Sequence, residues 1–539
     1  MRIINRTLIA AALLVLIGHL AVYVAYAANL MRFPFDYDQG EGFELVDTVL
    51  FSQGQWPYRD TEVFPFYSSN YPPLFHILAA PFVWLAGPAH WYGRLLGFLG
   101  TLVTAAAIGY AVYRDGAGSG RLRWAIAALS GLAYLASNTV YHIGPLFRQH
   151  ASMVMFETLA VVVLANANEI THVRRRRRTL AAGLLLVIAA GYTKQLAIIT
   201  ALAVGLFLLI RQPRRALAWG SLAAAVGVGV FAWMTAATNG EWWRQAIVAN
   251  VNDLNIQQSV GLFRLWFSLH GFLIVPAALL ALYELYFDRL SLYAIWFLLA
   301  AGFNGAASGT WGGGDSYFAT AIAATCILGG IFAARTLAGV WKFPDNYLSR
   351  RLVYPLRPLA PGLFRAGLVI VPLLYLGYGR ATLHLPTQQP PFDAFARVLN
   401  LQPNALNGFY DSARTADGQF AGGYADIGHF TTPDDVQAGW QIVERVRAAS
   451  GHVMSEEAGF SLAAGRQIIT NPTQLLNLDK KALYDGGELI QMIEDRAFGL
   501  IIFRAQFYPP RLLRAIGDHY RHTESIFMNG FEYRLLIPD

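Results

Sequence analysis

Long apolar runs, many of them long enough to cross a bilayer as a helix, alternate with short polar loops through the first 385 residues. A spanning helix needs about 20 apolar residues. Runs of this kind fall at 8–30, 92–113, 124–140, 151–168, 179–194, 196–210, 216–236, 265–287, 290–306, 316–340 and 366–382. Residues 72–87, PPLFHILAAPFVWLAG, are apolar too, and their placement sets the topology of the rest. If they span, the basic loops 114–123 and 172–178 face outward; if they lie along the outer interface, every basic loop faces inward. The second arrangement obeys the positive-inside rule. It gives about eleven spanning helices, an inner N-terminus and an outer C-terminal segment. The first run follows Arg2 and Arg6, exceeds a signal-peptide core in length and ends in a weak cleavage site, so it reads as a retained anchor.

From about residue 386 the periods shorten. LPTQQPPF reads as a Pro/Gln linker, and VQAGWQIVERVRAA as an amphipathic helix. HVMSEE reads as a short strand ending in acids, LIQMIEDRAFGLIIFR as a helix leading to a buried strand, and FEYRLLIP as a final strand. The expected architecture is a polytopic α-helical membrane domain (1–385) with juxtamembrane helices, followed by a small extracytoplasmic α/β domain (386–539). The second domain has no nucleotide-binding glycine fingerprint, so a lid or an acceptor-docking role suits it better than a second enzyme.

Composition supports this division. Hydrophobic residues make up 55% of the 539 and charged residues 14%, against about 25% charged in soluble domains. The net charge of +7 comes from cations in short loops, which fits lipid headgroups and not nucleic acid. Cys326 is the single cysteine, which excludes a disulfide framework and a cysteine metal site.

The same topology gathers four polar stretches on the outer face, at 31–91, 141–150, 237–264 and 307–315, joined by the turn Lys194-Gln195. The first carries DYDQGEGFELVD (36–47), with acids at Asp36, Asp38, Glu41, Glu44 and Asp47. Carboxylates at the mouth of a helix bundle are costly to desolvate and usually have a function. Asp38 and Glu41 share a face if the segment is helical, and Gly40 and Gly42 let backbone approach a substrate closely. One carboxylate could serve as general base toward a hydroxyl; a second could orient an acceptor or help hold a divalent cation. The plain alternative is a solvated loop. Pro72 and Pro73 suit the first turn of the interfacial helix. Asn70, Tyr71 and His76 beside them face either a substrate or, for the two rings, the aromatic belt.

Arg148 and His150, in GPLFRQH, precede an apolar run. The Arg148 fork could hold a phosphate or snorkel to lipid headgroups. Lys194 sits between two short apolar runs, where an unpaired ammonium is expensive; a phosphate or an internal salt bridge would resolve that. Asp315 ends WGGGD, either an anion-binding nest of backbone amides or a plain loop. His19 and His142 are single histidines without partners at ligand spacing, so no histidine metal site is expected.

Together these residues resemble the GT-C superfamily of polyprenyl-phosphate-sugar-dependent glycosyltransferases, in the branch of protein O-mannosyltransferases and lipid A aminoarabinose transferases. The resemblance rests on the first-loop acids, on Gly54 to Asp60, on Tyr71-Pro72-Pro73-Leu74, on Lys194-Gln195 and on Gly314 to Phe318. The stretches 455–472 and 507–516 resemble the outer domain of bacterial members. It implies a sugar donor on a lipid phosphate, inversion at the anomeric carbon and an envelope acceptor. Asp38 would then be the base, supported by Glu41, while Lys194 and Arg148 hold the phosphate. Asn70, Tyr71, Gln195, His150 and Asp315 would contact substrate, and Asp36, Glu44 and Asp47 would be ordinary loop or helix-surface charges. Two positions depart from the family pattern. Tyr71 stands where many relatives have Lys, and His150 where many have Asp. The rivals are a transporter or lipid-linked glycan flippase, which should show an internal repeat, and a scaffold whose outer cavity is filled by side chains.

Overall fold

The computed structural model describes residues 2–383, 392–398 and 429–539; the expected linker, from 385 to 391, lies outside the described residues. In chain order the helices of the membrane part are α1 (Arg2–Arg32), α2 (Glu41–Ser52), α3 (Leu74–Ala86), α4 (Trp91–Asp115), α5 (Gly120–Leu135), α6 (Asn138–Ile143), α7 (Gln149–Leu164) and α8 (Val173–Thr193). They continue as α9 (Ile198–Arg211), α10 (Pro213–Ala237), α11 (Ile256–Phe287), α12 (Leu292–Leu299), α13 (Gly305–Ala307), α14 (Ala319–Ala338) and α15 (Ala360–Ala381). Each apolar run predicted to span is helical over most of its length. Among the described residues, seven helical stretches are long and apolar enough to cross a membrane. α3 and the stretches Gln195–Arg211 and Leu292–Ala307 are shorter apolar helices. The chain is a multi-pass helical membrane protein.

Similar hydropathy does not mean similar position. The apolar window of the α14 stretch is 89% buried and that of α10 only 6%, so α14 is the central post and α10 faces outward. Small residues allow the close packing of α14. A Cβ at Gly330 would lie 2.6 Å from a Val112 methyl on α4, with Ser130 of α5 closer still.

Beyond the membrane part lie α16 (Phe392–Val398), α17 (Pro433–Ala448), β1 (His452–Ser455), α18 (Ala458–Ala463), α19 (Pro472–Lys480) and α20 (Gly487–Glu494). After them come β2 (Phe498–Phe503), α21 (Pro510–His519), β3 (Tyr520–Met528) and β4 (Phe531–Pro538). The sheet runs β1-β2-β4-β3, with β1 parallel to β2 and the other pairs antiparallel. The sequence reading found β1, β2 and β4 and missed β3, whose signal was Asn529-Gly530. Both residues take positive φ, 54° and 80°, as a two-residue hairpin turn requires.

This C-terminal unit packs against the stretch between α1 and α4 and against Gln245. Gly459 N donates to Asp36 (3.0 Å) and Asn529 Nδ2 to the Tyr37 carbonyl (3.0 Å). Asn471 Nδ2 donates to the Ser68 carbonyl (3.0 Å), and Gln474 Nε2 to the Gln245 carbonyl (2.8 Å). Phe35 packs against Trp440 and Phe460.

Candidate active site

All five first-loop acids are buried. That corrects the expectation for Asp36, Glu44 and Asp47, which are neither loop nor surface charges. Asp36 accepts backbone N–H from Gly42 and Gly459 and so joins loop to C-terminal unit. Glu41 starts α2 and meets Arg94 of α4, with Nε 3.0 Å from one oxygen and Nη2 2.7 Å from the other. The same carboxylate accepts from Phe147 N (2.6 Å), Tyr37 N (2.9 Å) and Asp38 N (3.3 Å). Arg94 spends its remaining hydrogens on the carbonyls of Leu30, Phe33 and Phe35. Burial works to raise the Glu41 carboxyl, but the Arg94 guanidinium and these donors hold it down at about 2. Glu41 thus ties the loop into shape, one step back from the cavity wall.

Asp38 is at the wall. Its Oδ2 accepts from Arg148 Nε (2.9 Å) and Nη2 (2.6 Å). Burial raises this carboxyl, and Arg148 opposes the rise. Arg148 also donates to the Gln39 carbonyl, and its Nη1 lies 3.4 Å from Glu44. It therefore faces the first-loop acids and not lipid headgroups. Glu44 and Asp47, three residues apart on α2, turn toward His76 in the first turns of α3. His76 Nε2 is 3.3 Å from Glu44 and 3.8 Å from Asp47. Burial raises Glu44 to about 8 against the pull of Arg148, and raises Asp47 to about 7 against bonds from Ser69 and Tyr67.

Lys194 follows the last residue of α8. Its Nζ lies 3.2 Å from His150 Nδ1, 4.6 Å from the Tyr71 ring centroid and 5.8 Å from that of Tyr317. Among the described residues no carboxylate lies within 4.0 Å of it, so the internal salt bridge is not formed. Burial, and next Arg148, lower this ammonium to about 7. Gln195 Nε2 donates to the carbonyls of Asn70 (3.1 Å) and Ala246 (2.8 Å), and Asn250 Nδ2 donates to Asn70 as well (2.7 Å). Asp315 is buried behind the glycine loop and accepts from Thr139 (3.0 Å).

Part of this set lines one cavity of about 930 Å³. The first loop contributes Asp38, Glu44, Asn70 and Tyr71, and the second Arg148 and His150. Lys194 and Gln195, then Asn250 and Asn252, then Thr310 and Tyr317 complete the membrane side. All four expected polar stretches and the Lys194-Gln195 turn do converge. A filled cavity, which a scaffold would have, is not found. Glu41 and Asp315 do not line it. Sequence reasoning missed Arg94, although an arginine within an apolar run was the signal. It also missed Asn471, Asn477 and Phe507, which the C-terminal unit brings to the cavity. Glu456 positions Phe507 by accepting backbone N–H from residues 504 to 507.

No protein-family model matches the sequence, and no curated protein matches it. Solved structures do. ArnT from Cupriavidus metallidurans bound to undecaprenyl phosphate superposes with a TM-score of 0.56 at 14% identity, over 97% of each chain. Its apo form gives 0.56 at 13%, over 96% of this chain and 98% of that one. The Archaeoglobus fulgidus oligosaccharyltransferase in the apo form gives 0.48 at 10%, over 96% of this chain and 73% of that one. The resemblance expected from the first-loop and Tyr-Pro-Pro motifs is met at the level of architecture: from end to end, the chain has the fold of the ArnT structures.

Proposed function

We propose that this chain is a membrane glycosyltransferase that moves a hexosyl or pentosyl group from a polyprenyl-phosphate donor to a cell-envelope acceptor, with inversion. The observation that carries this reading is the meeting of Asp38, Arg148 and Lys194 on one cavity, in the fold of a protein solved with undecaprenyl phosphate. The donor phosphate would pair with Lys194 and compete for the Arg148 fork. With Arg148 shared, the Asp38 carboxylate turns to the acceptor hydroxyl. It takes that proton as the acceptor oxygen bonds to the anomeric carbon. The bond from that carbon to the phosphate oxygen breaks, and the polyprenyl phosphate leaves with the electron pair.

Burial, by raising the Asp38 carboxyl, makes it a stronger base. Glu41 supports it by accepting from the Asp38 amide. Asn70, Tyr71, Gln195 and His150 line the substrate space, and Asp315 stands behind it, accepting from Thr139. The reaction would belong to the outer face, with eleven spans, an inner N-terminus and the C-terminal unit, through Asn471, Asn477 and Phe507, covering the cavity as a lid. The rival, a flippase of lipid-linked glycans, would move a labelled donor across liposomes without transfer, and the inward-turned acids of the first loop favour the enzyme.

Asp38→Asn leaves the side-chain shape intact and removes the base. Transfer from a lipid-phosphate sugar should drop by about 10²-fold or more. Undiminished turnover in a well-folded variant excludes Asp38 as base.

A further inference from the structure

We propose that Glu44, Asp47 and His76 form a site for a divalent transition-metal cation, with the side-chain amide of Gln149 as its fourth ligand. The three residues offer one nitrogen and two carboxylate oxygens, all within 4.8 Å of one another. They come from α2 and the start of α3, and each is buried to within a few per cent.

Charge is the first argument. Two buried carboxylates face the same small space, and ionising both there without a cation is expensive. Arg148 reaches Glu44 with a single nitrogen at 3.4 Å, while its short bonds go to Asp38. Asp47 accepts from the hydroxyls of Tyr67 and Ser69, and among the described residues no arginine or lysine lies within 4.0 Å of it. A dication at the centre would neutralise both acids.

The histidine is turned for the task. Nδ1 lies 3.5 Å from the Thr48 hydroxyl oxygen, which itself donates to the Glu44 carbonyl. A proton on Nδ1 directed at that oxygen leaves the Nε2 lone pair toward the two carboxylates. Ligating histidines are commonly oriented in this way through their other ring nitrogen.

Gln149 supplies an independent sign. It is fully buried, and its Nε2 donates to Glu44 and lies 3.5 Å from His76 Nε2. Its Oε1 is buried with no hydrogen-bond partner among the described residues. Turning the amide over brings that orphan oxygen against Glu44 and His76, where a cation would take it as a ligand. One imidazole and three oxygens suit Zn²⁺ or Mn²⁺ better than Ca²⁺ or Mg²⁺. Such an ion would join α2, α3 and α7 and hold Glu44 at the cavity wall, beside the Asp38–Arg148 pair.

The test uses the full chain in nanodiscs, stripped with chelator and dialysed against Zn²⁺. Elemental analysis should find about one ion per chain, bound with proton release. Zinc-edge X-ray absorption should give one imidazole in an all-N/O shell at about 2.0–2.2 Å. His76→Gln and Asp47→Asn should each weaken binding by about 10-fold or more, while His522→Gln at an exposed position binds as wild type. Retention of no metal, a shell without imidazole, or wild-type affinity in both variants overturns the proposal. If His76→Gln does not fold, Asp47→Asn and the wild-type absorption spectrum decide. No donor or acceptor enters the measurement, so its outcome is separate from that of the transferase reading.

Discussion

Lys194 sits between two tyrosine rings and a histidine nitrogen, where its ammonium is poorly solvated. Its folded value of about 7 lies below the roughly 10.4 of an exposed lysine. Between those values the unfolded chain holds a proton that the folded chain has lost, so this residue makes stability rise with pH in that window. A bound phosphate does the reverse and favours the ammonium. Polyprenyl phosphate binding at pH 8 should therefore take up a proton, and affinity should fall as pH rises past 7. Calorimetry in buffers of different ionisation enthalpy measures this, and Lys194→Gln should abolish the uptake. The Glu41–Arg94 pair behaves oppositely. Glu41 is lowered to about 2, so its contribution is present above the ordinary carboxyl value of about 4.3 and is lost as pH falls toward 2. Glu41→Gln strands a buried guanidinium and should destabilise by about 3–5 kcal/mol at pH 7, with a smaller deficit in acid, read from melting temperatures.

Among the elements, α2 does the most to build the site. Glu41 at its start meets Arg94, and Glu44 and Asp47 farther along turn toward His76. Gly42 lies where the helix meets the C-terminal unit. A Cβ there would sit 2.8 Å from the Gly459 nitrogen and against the Asp36 carboxylate. Gly42→Ala must therefore push the two apart, and limited proteolysis should cut the C-terminal unit several-fold faster than in wild type. An equal rate would mean that the Asp36 bridge is dispensable. α10 gives the contrast. It is as apolar as its neighbours yet little buried, so an exchange such as Val228→Leu on its outward face should leave the melting temperature unchanged.

At the scale of the molecule, the cavity has two sources. The membrane helices and their loops bring the cations Arg148 and Lys194, whereas the C-terminal unit brings Asn471, Asn477 and Phe507. Donor phosphate and acceptor should therefore depend on different parts of the chain. Asn477→Ala should raise the acceptor KM several-fold and leave donor affinity within about 2-fold, since one lost hydrogen bond is worth roughly 1 kcal/mol. Equal loss for both substrates would argue against this division.

What the sequence by itself determined was one-dimensional: the apolar runs, the basic loops between them, and from these the grouping of Asp38, Tyr71, Arg148 and Lys194. Hydropathy and charge are local properties, and the bilayer converts them into position along a single axis. Only the tertiary structure decided which acids face which partners. Asp38 and Glu41 look equivalent at a spacing of three, yet one meets Arg148 at the cavity and the other Arg94 in the interior. Glu44 and Asp47 read as surface charges until α3 laid His76 across them. A side chain's partner depends on helix rotation and on contacts between segments a hundred or more residues apart, as from Asp38 to Arg148, and no local pattern encodes that.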